Sequence, residues 1–144
     1  MKDPLNTVLN LINDAEQQAA LQLQAVRLRH QQAEQQLASL NQYRLDYLKQ
    51  LDARSQQQIS ATFYHQLHKF IRQLDEAIAR QCQALQQTAQ QVEQARQHWL
   101  AQQQKRQAIE TLLEQKALKR SQQVQRQEQR LADELALRQR YLRR

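Results

Sequence analysis

The sequence predicts an all-α protein: an antiparallel two-helix coiled-coil hairpin with unequal helices, the second overhanging the first. Three observations predict it. The 144 residues contain no glycine, and the single proline is Pro4; glycine supplies positive-φ turns, and both residues punctuate helices. Gln makes up about a quarter of the chain, and with Ala, Leu, Arg, Lys and Glu it forms a set of strong helix formers. Apolar residues recur at three- and four-residue steps, and that rhythm lapses clearly once, before the midpoint.

The first helix is expected over residues 4–51. Asp3 and Pro4 make its start, an acceptor for the first free N–H groups followed by a residue suited to the first helical position. Leu5, Val8, Leu9, Ile12, Ala15, Ala19, Leu23 and Val26 carry the rhythm onward, then Ala33, Leu37, Leu40, Tyr47 and Leu51. At 1.5 Å per residue this is roughly 70 Å of helix. Residues 52–62 hold one large apolar residue, Ile59, and read as the turn. Ser60 and Thr62 are candidate N-caps for the second helix.

The second helix is expected over residues 63–142. Leu67, Ile71, Leu74, Ile78, Leu85, Val92, Ala95, Trp99, Ile109 and Leu113 share one 4-3 lattice, with Gln81, Thr88, Gln102 and Arg106 in its remaining slots. Sustained over several heptads, this spacing is the mark of a left-handed coiled coil. Two such helices joined by a short polar segment fold back as a hairpin. The competing arrangement is one continuous helix pairing with a second chain. In the hairpin, the first helix covers the second only to about residue 113. Residues of about 114–144 then overhang, within a single coiled-coil domain spanning residues 1–144.

Charge marks the same segment. The chain has 21 Lys and Arg against 14 Asp and Glu. Residues 1–115 carry 12 basic and 11 acidic groups, and residues 116–144 carry 9 and 3. Almost all of the net +7 therefore sits in the last fifth of the chain, which suits an anionic partner. Arg126, Arg130, Arg138 and Arg140 are the candidate contacts there.

Near the turn there are more apolar residues than a two-helix seam uses. Gln36, Leu40, Tyr43 and Tyr47 form one stripe, and Phe70, Leu74, Ala77 and Gln81 repeat its spacing on the second helix. Five of the seven aromatic residues lie between positions 43 and 70. Such a surplus is either a protein-docking patch or a locally wider core that closes the hairpin end.

Composition excludes other chemistries. An apolar share of 40% that is mostly Leu and Ala, with 5% aromatics, lines a seam but builds no catalytic pocket. His65 and His68 have no Cys or acidic cluster at ligand spacing and, with His98, read as polar helix-face residues, so no metal and no cofactor is expected. Asp75–Glu76 and Asp133–Glu134 lack the burial that perturbs carboxylates for acid–base work. Trp99 reads as a seam residue, and Cys82 as a small apolar side chain beside the seam. A single cysteine fits a reducing compartment. No apolar run is long enough to span a membrane, and Met1-Lys2-Asp3-Pro4 lacks the features of a signal peptide.

The run Gln32-Ala33-Glu34-Gln35-Gln36-Leu37, then Leu40, Tyr43, Tyr47 and Leu51, resembles the flagellar export protein family FliJ. Phe70-Ile71, Leu74 and Glu76-Ala77-Ile78, followed by Trp99 and Lys105-Arg106-Gln107-Ala108, extend the resemblance over essentially the whole chain. The aromatics and the Gln-Ala-Glu run carry it, since leucines recur in every coiled coil. The resemblance implies a non-enzymatic stalk and adaptor of the flagellar type III export apparatus, cytoplasmic and peripheral to the inner membrane. Its implied partners are the export ATPase ring, the cytoplasmic part of the membrane export gate, and export chaperones. The gate-binding positions of the family match Gln36, Leu40, Tyr43, Tyr47, Phe70, Leu74 and Ala77. An eighth, often His in the family, falls on Gln81, and that departure puts its contribution in question. The basic arginines fall on the end expected to contact the ATPase.

Two alternatives stand beside this reading. One is the equivalent stalk of a virulence type III secretion system, which shares the architecture. The other is a basic coiled-coil module binding nucleic acid. The charge of residues 116–144 supports the latter, and the absence of a reading motif opposes it.

Overall fold

The computed structural model describes residues 3–55 and 60–143. It contains two helices, α1 from Pro4 to Ser55 (52 residues) and α2 from Ala61 to Leu142 (82 residues). They pack against each other as a hairpin in which the second helix is the longer. Among the described residues no backbone φ is positive and no peptide bond is cis.

Both helices overrun their sequence-derived limits near the turn. Residues 52–55 continue α1, because losing the apolar rhythm removes a packing face but leaves the backbone hydrogen bonds intact. Ser60 is the N-cap of α2: its Oγ accepts from the Phe63 N–H at 3.3 Å, and its carbonyl accepts from the Tyr64 N–H at 3.2 Å. Thr62, the other candidate cap, lies inside α2. Residues 56–59 of the expected turn, Ile59 included, and Met1-Lys2 lie outside the described residues.

The chain divides into two compact units, one of them Gln17–Leu100. Pairing within this unit is antiparallel: His30, Ala33, Arg44 and Tyr47 of α1 meet Thr88, Gln81, Asp75 and Phe70 of α2, so one number rises as the other falls. Its buried residues are Ala19, Leu23, Val26 and Ala33 on α1 and Leu67, Ile71 and Ala95 on α2. Leu23, Val26 and Ala95 form one cluster, with Val92 and Trp99 packed on it. Small residues recur among large ones in this set, which lets two helices approach closely without voids.

The seam of α1 in this unit runs through positions 19, 23, 26, 30, 33, 37, 40, 44, 47 and 51, all buried or half-buried. That is an unbroken 4-3 lattice. His30 and Arg44 occupy two of its slots without belonging to the apolar pattern. Each is answered across the seam. His30 Nδ1 lies 2.8 Å from Thr88 Oγ1, and Arg44 Nε donates to Asp75 Oδ1 at 2.6 Å. Polar groups in a seam cost stability unless paired, and paired ones fix register.

The other unit comprises Met1–Glu16 and Ala101–Arg144. Leu5, Leu9, Ile12, Ala15 and Glu16 are half-buried, as are Gln102, Arg106, Ile109 and Leu113. Glu16 and Arg106 form an ion pair between the helices, and the Arg106 guanidinium also holds Glu110 at 3.1 Å. Hydrogen bonds that the Arg106 guanidinium donates to these carboxylates push its pKa up, the one to Glu16 contributing most. Asp3 caps α1, accepting from the Leu5 N–H at 3.0 Å, and it also meets Lys116 at 3.3 Å and Arg120 at 3.8 Å. Every described residue from Glu114 to Arg143 is exposed.

Candidate functional site: an aromatic flank and a bare basic helix

The stripe expected near the turn is composite. Leu40, Tyr47, Leu74 and Gln81 occupy seam positions and are half-buried. Gln36, Tyr43 and Phe70 stand outside the seam and are exposed, and Ala77 beside them is half-buried. Tyr43 is 58% exposed and Phe70 50%. The two sequence readings of this surplus thus divide between residues: Leu40, Tyr47, Leu74 and Gln81 belong to the seam, and Gln36, Tyr43 and Phe70 face solvent.

The structure brings the two helical halves of the stripe together. Tyr47 and Phe70 stack with ring centroids 6.1 Å apart and planes within 13°. Gln81 Nε2 donates to Oε1 of Gln36 at 3.2 Å and to the Ala33 carbonyl at 3.0 Å. A 4-3-4 step links Gln36, Leu40, Tyr43 and Tyr47, and the same step links Phe70, Leu74, Ala77 and Gln81, so each set lies on one side of its helix. The opposite side of the seam is closed by the Arg44–Asp75 ion pair. One flank therefore offers aromatic and amide surface, and the other offers charge.

Closer to the turn, the Arg54 guanidinium sits 4.5 Å from the centroid of the Phe63 ring, and Tyr64 meets His68 edge-on at 4.5 Å. Neither contact was visible in the sequence, where Arg54 fell within the expected turn. His65, His68 and His98 are all exposed. Among the described residues no group of three or more His, Cys, Asp or Glu side chains is placed to hold a metal ion. Cys82 lies one position past the lattice slot of Gln81, beside the seam, and is exposed. Trp99 packs on the Leu23 cluster as a seam residue.

Arg126, Arg130, Arg138 and Arg140 are exposed on the uncovered part of α2. Among them stand Val124, Leu131, Leu135, Leu137, Tyr141 and Leu142, all exposed as well. This stretch is a cationic helix with apolar residues that no other described segment covers. Its electrostatics come from composition, nine Lys and Arg against three Asp and Glu over residues 116–144.

Together these features define a class: a two-helix coiled-coil hairpin protein. Among the described residues no helix is long and apolar enough to cross a membrane. The family described as flagellar FliJ protein matches residues 1–144, and the chain belongs to that family. Membership makes it a component of the flagellar export apparatus and places it in a non-catalytic, structural family. No curated protein sequence matches it.

Proposed function

We propose that the protein is the stalk and adaptor of the flagellar export machinery. In this reading the basic part of α2 inserts into the export ATPase ring and promotes its assembly. The aromatic flank docks on the cytoplasmic part of the export gate, and the chain also receives export chaperones. It works in the cytoplasm, at the membrane-embedded apparatus. Family membership favours the flagellar machinery over a virulence secretion system and over nucleic-acid binding.

The observation that carries the proposal is the division of the chain into one stretch whose α1–α2 seam is buried and one whose α2 is bare and basic. A helix that keeps nine Lys and Arg against three Asp and Glu over residues 116–144, uncovered, has its charge available to an anionic ring lumen. Reversing Arg126, Arg130, Arg138 and Arg140 to Glu in the full chain is expected to abolish stimulation of the ATPase, measured as phosphate release, with helicity retained by circular dichroism. Full stimulation by this variant would remove the stalk role. Tyr47→Ala or Phe70→Ala is expected to weaken gate binding by about tenfold or more, as loss of a buried aromatic anchor does. Calorimetric titration reads this directly, and unchanged affinity would remove the aromatic flank from the gate interface.

A further inference from the structure

Gln81 stands in a seam slot yet directs its amide to the flank. Lattice positions of a coiled coil ordinarily carry Leu, Ile or Val, and a polar residue there costs stability. Here the amide is used fully on its donor side. Its two N–H groups reach the Ala33 carbonyl at 3.0 Å and Oε1 of Gln36 at 3.2 Å. The approach to the α1 backbone is open because residue 33 is a buried Ala, with no side chain beyond Cβ.

The second of these bonds has an effect on the surface. Gln36 is exposed, and an unbranched side chain on a helix surface samples several rotamers unless something holds it. The Gln81 amide holds it by its oxygen. That leaves the Gln36 amide nitrogen as a donor of fixed position. The clasped pair forms one edge of a shallow dimple lined also by Gln35, Ser39 and Leu40.

We infer that Gln81 is a positioning residue of the docking flank: it clasps Gln36 to α1, so that the Gln36 NH2 group meets a carbonyl or carboxylate oxygen of the partner above Leu40, and it makes no contact with the partner itself. This rests on the reading that the aromatic flank docks the export gate. It assigns the Gln at the position where the family often has His a task within the hairpin. An amide, unlike an imidazole, holds this geometry with the same charge at any pH near neutrality.

The test is a double-mutant cycle in the full chain, titrated against the cytoplasmic part of the gate. Gln81→Leu is expected to keep or raise the thermal midpoint, since it fills a seam slot with apolar surface. It is also expected to weaken gate binding about 3- to 10-fold, the worth of one ordered hydrogen bond. Gln36→Ala is expected to lose a similar factor, and the double variant no more than Gln36→Ala alone. Losses that multiply would show Gln81 touching the partner and overturn the clasp. So would wild-type affinity of Gln81→Leu alongside impaired Tyr47→Ala. Wild-type affinity of both variants would instead remove the docking flank itself. Should Gln81→Leu fail to fold, Gln81→Met keeps the length without the donor. In that variant the side-chain amide resonance of Gln36 is expected to move in the free chain, and an unmoved resonance overturns the clasp.

Discussion

The two compact units use the same helices and the same lattice, yet only one of them has a core. Among the described residues, the seven buried apolar ones all lie in Gln17–Leu100, and none of Met1–Glu16 with Ala101–Arg144 is buried. The slots explain part of this. Between positions 19 and 26, and between 92 and 99, the seam is wholly apolar. In the other unit Glu16, Gln102 and Arg106 occupy three slots. The rest comes from coverage: beyond Leu113, α2 keeps Val124, Leu131, Leu135 and Leu142 at helical spacing, and all are exposed. Hydrophobic periodicity thus states where a helix could bury a face. Burial itself requires a second helix to be present.

This comparison can be broken or sharpened by substitution. The largest effect is expected at Leu23, which is 5% exposed within the main cluster. Leu23→Ala is expected to cost about 2–4 kcal/mol of unfolding free energy, read from urea denaturation. A loss below about 1 kcal/mol would mean that the cluster is not the stabilising core.

A smaller, local effect is expected at Asp3. The Leu5 N–H does most to hold its carboxyl below the ordinary 3.8, partial burial opposes the shift, and Lys116 and Arg120 reinforce it. A depressed carboxylate contributes stability that is present above pH 3.8 and lost as pH falls through the lower folded value. Amide exchange at Leu5 and Asn6, corrected for intrinsic rate, is therefore expected to accelerate in that acid window. Exchange near the Leu23 cluster should respond less. Equal acceleration at both places would show that the two units open together. The smallest effect is expected at Leu131: replacement by Ala should change stability by no more than about 0.5 kcal/mol, as at other uncovered surface positions. A larger loss in denaturation would show that the bare helix is covered in solution.

Much of the fold is legible in the sequence. The lattice of α2 from Leu67 to Leu113, extrapolated from apolar spacing alone, consists only of buried and half-buried residues. The matching lattice of α1 is only partly legible, because Glu16, His30 and Arg44 interrupt its apolar pattern. Extending the 4-3 count through them would have placed all three in the seam, since spacing, not residue type, fixes which side of a helix a position faces. Their partners are not legible by any count. Arg106, Thr88 and Asp75 are 90, 58 and 31 residues away in the chain. Which pairs meet depends on the register between the two helices, and the sequence between them carries no glycine or recognisable turn type from which to compute it. The docking flank is half legible for the same reason. The stripes are visible on each helix, and the stacking of Tyr47 on Phe70 and the clasp of Gln81 on Gln36 are not.

By itself the sequence determined that the chain is helical, which positions of α2 line the seam, and that the net charge lies in the last residues of α2. These features arise from local propensity and periodicity, which act over a few turns of helix. Only the tertiary structure decided which polar seam residues answer one another, and which of the aromatic stripe closes the hairpin or faces solvent. Those outcomes depend on the register between two helices, and register is set by contacts between residues far apart in sequence.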